Sequence, residues 1–173
     1  MNEVIESILK RRSVRKYENT QIPDDILDTI LNAGLYAPSA MNCQESVMVA
    51  VRDKKTRDLL SKLNAKVMMS DGENDPFYGA PCVIVVFAKR AANAEKDGSL
   101  VMANLMEAAN ALGIGSCWIN RADKMFEFEA GKELLKEWGL SDEWVGIGNC
   151  ILGYPKEAPV PSPRKAGRII KIG

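Results

Sequence analysis

Apolar residues recur along the chain in runs whose period changes several times. Val4, Ile5, Ile8 and Leu9 share one helical face, which predicts a short amphipathic helix anchored in the core by that face. Ile22-Pro23-Asp24-Asp25 reads as a helix start, with proline and acids in the first turn. Ile26, Leu27, Ile30, Leu31 and Leu35 continue at helical spacing, and this helix is expected to end near Gly34. The stretch from Ala37 to Gln44 reads as a loop. Val47 to Val51 is a short β-type run, followed by a helix through Arg57, Leu59, Leu60 and Leu63. The polar stretch from Ser70 to Asp75 is expected to be a mobile loop.

Cys82-Val83-Ile84-Val85-Val86-Phe87 is apolar throughout and reads as a central strand. A helix from Asp97 to Leu112 follows, lined by Ala103, Ala108, Ala109 and Ala111, small enough for close packing in the core or across a dimer. Gly113 to Ile119 leads into another strand, 131–138 reads as a helix ended by Gly139, and Val145 to Leu152 reads as a strand. The proline-rich stretch 155–163 is extended, and Arg168 to Ile172 resembles a last strand. Helices and strands mix without regular alternation or repeats. This predicts an α+β fold with helices packed on a mixed sheet.

At 173 residues the chain is long enough for one domain with a sizeable core, taken as 1–173. No apolar run approaches the length of a membrane span, and MNEVIESILK lacks a signal-peptide layout. The expectation is a cytoplasmic protein with no membrane partner. Cys43, Cys82, Cys117 and Cys150 are more than thirty residues apart, so they are read as reduced and mostly buried. Histidine is absent, which removes Ser-His-Asp and Cys-His catalysis and imidazole metal sites. Two GxG patterns, at Gly113 and Gly146, do not sit in strand-turn-helix units and are not read as a Rossmann fingerprint.

Charge changes the picture more than composition does. The net charge is zero, yet residues 1–16 carry +3, residues 156–173 carry +4 and the body between them −7. Arg11-Arg12-Ser13-Val14-Arg15-Lys16 concentrates donors suited to phosphate or carbonyl oxygens. A solvated basic patch is the plainer reading of such a run. An acidic body without interleaved aromatics argues against nucleic acid. Chain ends often lie close together, so the two basic ends are expected to converge on one small anion such as a phosphate monoester. The loop Ala37-Pro38-Ser39-Ala40-Met41-Asn42-Cys43-Gln44 suits close approach to a polar ring edge, or is a simple connector.

RRSVRKY, APSAMNCQ, FYGAPCVIVV, NLMEAANALGIGSCWI and GYPKEAPVPSPRK, in this order, resemble the FMN-dependent nitroreductase family. That resemblance implies a mixed sheet sandwiched by helices, in an intertwined homodimer with FMN at the interface. It places Arg11, Arg12 and Ser13 near the ribityl phosphate and Arg15 near flavin N1 and the C2 carbonyl. Arg164 and Lys165 would complete the phosphate site, and Pro38, Ser39 and Ala40 would come from the partner subunit. Asn42 and Gln44 match the polar positions that follow. Ile119-Asn120-Arg121 matches the segment whose backbone N–H faces flavin N5, and Asn64 matches a further amide contact. No residue is expected to be catalytic in its own right, because the flavin carries the electrons.

The implied activity is ping-pong transfer from NADH or NADPH to a small acceptor such as a nitroaromatic or quinone. A specialised dehalogenase, enoate or flavin reductase, or a flavin-binding protein with little turnover, fits the same fold. Glu45 and Ser46 stand where relatives often carry proline and an aromatic. The chain is also short around 66–79 and 120–131, which implies an open site.

Overall fold

The computed structural model describes residues 1–69 and 74–173. Among them are α1 (Glu3–Lys10), α2 (Asp24–Leu35), α3 (Lys54–Val67), α4 (Ala94–Ala111), α5 (Ala122–Met125) and α6 (Glu129–Glu137). The strands are β1 (Ser46–Val51), β2 (Cys82–Lys89), β3 (Gly115–Ile119) and β4 (Trp144–Gly153), and a 3-10 turn spans Ala40–Asn42. Their order in the sheet is β1-β2-β4-β3.

Alternation along β2 builds the core. Val83, Val85 and Phe87 face one way and join Leu60, Leu63, Met125 and Leu134 from α3, α5 and α6. Cys82, Ile84 and Val86 face the other way and meet Leu27, Ile30, Met102 and Leu105 from α2 and α4. Helices therefore cover both faces, which is why β2 is apolar throughout instead of alternating.

The sheet differs from the expected mixed one: every neighbouring pair of strands is antiparallel. The parallel pairing is an isolated bridge between Ser13 and Ser116, where the N-terminal segment touches β3. In β4 a register shift falls beside Gly146, where an added Cβ would stand 2.6 Å from the Ala122 carbonyl. Glycine here lets α5 lie directly on the strand.

Two further expectations fail for one physical reason. The apolar face of α1 does not enter the core: Val4, Ile5, Ile8 and Leu9 are all exposed. The segment 168–172 forms no strand, and Ile169, Ile170 and Ile172 are also exposed. Periodicity reports an apolar face or β-type run, but no described residue covers either one. Of the stretch expected to be mobile, residues 70–73 lie outside the described residues. Asp75 is tied down: its carboxylate accepts from Arg57 Nη2 and Ser61 Oγ, both at 2.5 Å, and from the Phe77 and Gly79 amides.

Candidate functional site

Val14 and Tyr17 are buried and fix the basic N-terminal segment against the sheet. The Val14 amide donates to the Ser116 carbonyl at 3.0 Å, and Tyr17 Oη donates to the Val14 carbonyl at 2.6 Å. Burial pushes the Tyr17 phenol far above its ordinary pKa, so it remains a neutral donor. Gly115 completes the seat, since a Cβ there would lie 3.1 Å from the Val14 side chain.

With Val14 and Tyr17 turned inward, Arg15 and Lys16 are exposed and Arg11 and Arg12 are half-buried. Arg11 Nε pairs with Glu107 at 3.0 Å, and Arg12 Nη1 donates to the Leu9 and Arg11 carbonyls. Arg11 Nη1, Arg12 Nε and Ser116 Oγ are buried without a hydrogen-bond partner. Their residues, with Gly113 and Gly115, line a cavity of about 280 Å³. Buried polar atoms are nearly always paired, so unspent donors beside a cavity point to an absent acceptor. Arg15 is exposed, forms no ion pair among the described residues, and lies 5.9 Å from the centre of the Tyr78 ring.

The two basic ends meet over part of their length. The Lys156 amide donates to the Lys16 carbonyl at 2.9 Å, and Lys16 pairs with Glu157 at 3.3 Å. Arg164 and Lys165, however, are in exposed chain beyond this contact and outside the cavity wall.

The loop from Pro38 to Gln44 is tightly bent. Met41, Asn42 and Gln44 have φ of 52°, 55° and 54°. Asp97 on α4 accepts from the Ala40 amide at 3.1 Å, Ser39 Oγ accepts from the Gln44 amide at 2.9 Å, and Gln44 Nε2 donates to Asn42 Oδ1. This loop leads into β1, whereas the Arg11–Arg15 segment touches β3. These are opposite edges of the sheet, three strand spacings or about 14 Å apart. One chain does not bring the two groups together.

At the end of β3, the chain turns through Asn120 and Arg121 into α5. Two buried asparagines hold the turn from inside: Asn64 Nδ2 donates to the Asn120 carbonyl at 2.8 Å, and Asn149 Nδ2 to the Ile119 carbonyl at 3.1 Å. Arg121 has φ of 77°, and its Nε and Nη2 donate to Asn64 Oδ1 at 3.2 and 3.0 Å. Asn64 was expected to reach a ligand, but both ends of its amide are engaged within the chain. Asn149 and Tyr78 were missed from the sequence. The one signal for Asn149 is a polar residue inside the strand run VGIGNCIL.

Cys82, Cys117 and Cys150 are buried, and Cys43 in the Pro38–Gln44 loop is exposed. Burial pushes the Cys82 thiol up to about 12 and raises Cys150 as well, and all four cysteines are free. Among the described residues no cluster of acids and thiols could hold a metal.

Comparison with known proteins identifies the family and the fold. A model described as the nitroreductase family matches residues 8–154. A Bacillus subtilis protein named FMN reductase (NAD(P)H) is 38% identical over 182 residues, covering 95% of this chain and 70% of its own. A Bacteroides fragilis nitroreductase solved with bound FMN is 32% identical, superposes with a TM-score of 0.90 and is covered in full, as is this chain. A Desulfitobacterium hafniense nitroreductase with bound FMN is 25% identical, with a TM-score of 0.88 over the whole of both chains.

Proposed function

The chain belongs to the nitroreductase family, and from that premise we propose that it is an FMN-dependent oxidoreductase that transfers electrons from NAD(P)H to a small acceptor. The observation that carries the reading is the set of unspent donors on the N-terminal segment. Arg11 Nη1 and Arg12 Nε are buried and unpaired. The Ser13 hydroxyl and the Arg15 guanidinium have no hydrogen-bond partner among the described residues. Such a set suits a phosphate monoester beside a ring edge that carries acceptor atoms.

When bound, FMN supplies the two-electron chemistry, and nitroaromatics and quinones are fitting acceptors. The chain's residues bind and orient it. Arg11, Arg12 and Ser13 hold the phosphate, joined by Arg164 and Lys165 once the C-terminal segment is docked. Arg15 faces the pyrimidine end of the ring, where a fixed guanidinium favours added negative charge. The Arg121 backbone N–H has no acceptor among the described residues and faces the reacting edge. The chain is short around 66–79 and 120–131, so acceptor access is open and selectivity broad.

The site is completed by a second copy. Pro38, Ser39, Ala40, Asn42 and Gln44 of the partner would close over the ring bound by Arg11–Arg15. The opposite-edge placement of the two groups supports this, as do the uncovered apolar faces of α1 and 168–172. A cytoplasmic location suits four unpaired cysteines, and among the described residues no helix is long and apolar enough to cross a membrane.

Purified protein should be yellow and release FMN, not FAD, on denaturation, as read by chromatography of the chromophore. NADH or NADPH should bleach the bound flavin, and a nitroaromatic or quinone should restore the colour. A colourless protein that FMN cannot reconstitute overturns the reading. A flavin that neither nicotinamide reduces would leave a flavin-binding protein.

A further inference from the structure

We infer that Asn64 is a positioning residue: with the Arg121 guanidinium it forms a lock that holds residue 121 in the left-handed conformation and turns its backbone N–H outward, toward the flavin. The inference rests on the placement of FMN proposed above and adds to it the device that keeps the flavin-facing amide in place.

Three observations carry it. First, Arg121 has φ of 77°, a conformation that side chains other than glycine, asparagine and aspartate rarely adopt without an external constraint. Second, the constraint is visible: Nε and Nη2 of Arg121 both reach Asn64 Oδ1, at 3.2 and 3.0 Å. Third, Asn64 is fully buried on α3 and uses its other end on the Asn120 carbonyl at 2.8 Å. With Asn149 on the Ile119 carbonyl at 3.1 Å, both carbonyls of the turn are drawn inward. Peptide planarity then sends the following N–H groups the opposite way. The Arg121 amide consequently has no acceptor among the described residues.

The choice of an amide as anchor also matters. Asn64 accepts from the guanidinium without neutralising it, and Arg121 has no carboxylate partner among the described residues. A glutamate or aspartate anchor would grip more strongly but would set a negative charge beside a site that must accommodate added electrons.

The test uses FMN-loaded, ¹⁵N-labelled protein and follows the residue-121 amide resonance as the flavin is reduced. In the wild type this resonance shifts on reduction. Arg121→Met keeps the Cβ, and with it the strain, but loses the lock. Its amide should lose most of that shift, and flavin reduction by NADH should slow at least fivefold. Arg121→Gly removes guanidinium and strain together, and its amide shift should return toward the wild-type value. Asn64→Leu should behave at least as severely as Arg121→Met. If that buried substitution prevents folding, the pair at half-exposed residue 121 decides the matter alone.

Equal losses in Arg121→Met and Arg121→Gly would overturn the lock and make the guanidinium itself the active feature. A fall in thermal midpoint for Arg121→Met with the amide shift intact would overturn it as well, leaving a packing role. A wild-type amide indifferent to reduction of a bound, reducible FMN would refute the flavin placement itself. In that case the lock falls with it, and the variants are not needed to say why.

Discussion

Replacing Arg15 by alanine should lower the midpoint potential of the bound flavin, and replacing Arg164 should not. Arg15 has no ion-pair partner among the described residues, so its removal strands no buried carboxylate. The neighbouring Tyr78 ring, 5.9 Å from the guanidinium carbon, contributes at most about 0.5–1 kcal/mol. That contact exists in both redox states, so it cancels in the potential. What remains is the bond to the ring. A charge-assisted hydrogen bond is worth roughly 1.5–3 kcal/mol, and the neutral oxidised ring uses part of it. About 1–2 kcal/mol is left as the difference between the two forms. For a two-electron couple this is roughly 20–45 mV, in the direction that disfavours reduction once the charge is removed. Arg164→Ala faces a phosphate whose charge is the same in both states, so it should weaken FMN binding about tenfold and move the potential far less. Potentiometric titration of both variants, fully loaded with FMN, reads this directly. An equal shift in the two variants, or a rise for Arg15→Ala, would show that the ring and phosphate ends have been assigned wrongly.

Two predictions concern the supports of the site. Burial alone would raise the Asp75 carboxyl, but the bonds from Arg57, Ser61, Gly79 and Phe77 outweigh it and hold the pKa below its ordinary value. Its contribution to stability is therefore present above about pH 4 and is lost as pH falls through the folded-state pKa. With its side chain 34% exposed against 10% for Arg57, Asp75→Asn should cost about 2 kcal/mol at neutral pH, less than a fully buried pair. Urea unfolding at pH 7 and pH 3 should show the gap between the two proteins closing in acid, and a constant gap would contradict the assignment. Gly146→Ala should cost about 1–3 kcal/mol, because the new Cβ meets Ala122 backbone at 2.6 Å and pushes α5 off β4. A thermal midpoint equal to that of the wild type would mean the strand yields there at little cost.

How far the molecule could be read in advance depended on whether an answer lay within one chain. Cys82 to Phe87 was legible as a central strand because both of its faces are covered by this chain's own helices. The face of Val4, Ile5, Ile8 and Leu9 was legible as apolar but stays out of this chain's core, since periodicity carries no information about what an apolar face packs on. The sheet was expected to be mixed, yet strand direction is set by connections longer than any local pattern. Among site residues, Arg11, Arg12 and Arg15 stood out by charge. Asn64 stood out only by resemblance, and its engagement with Arg121 depends on α3 and α5 meeting in space. Asn149 is one polar residue in an apolar strand, and that pattern reads equally well as a tolerated core amide.

The distribution of backbone strain ties these supports together. Among the described residues six other than glycine have positive φ: Met41, Asn42, Gln44, Met69, Tyr78 and Arg121. Five of them fall in the three segments that the proposed flavin would touch or border, and each such conformation costs of order 1–3 kcal/mol unless something opposes it. For four of these five a polar side chain from another segment bonds the residue or its neighbours, and the Gln44 amide is held by Ser39 within its own loop. Asp97 on α4 grips the Ala40 amide beside Met41 and Asn42. Asp75, held by Arg57 and Ser61 of α3, accepts from the amides on both sides of Tyr78. Asn64 on α3 grips Arg121. Two of the three anchors thus run through α3, a helix that lies beside the site without contributing a free donor to it. Relaxation of α3 should therefore disturb the Arg15–Tyr78 corner and the Arg121 turn together, while leaving the Ser39–Gln44 loop on α4 in place. Hydrogen exchange at the amides of Tyr78 and Lys124, bonded to the Asp75 and Arg121 carbonyls at 3.0 and 3.1 Å, should accordingly rise in concert in Asp75→Asn, with the amide of Gln44 unchanged. Independent responses at 78 and 124 would mean that each turn is held locally and that α3 is not their common support.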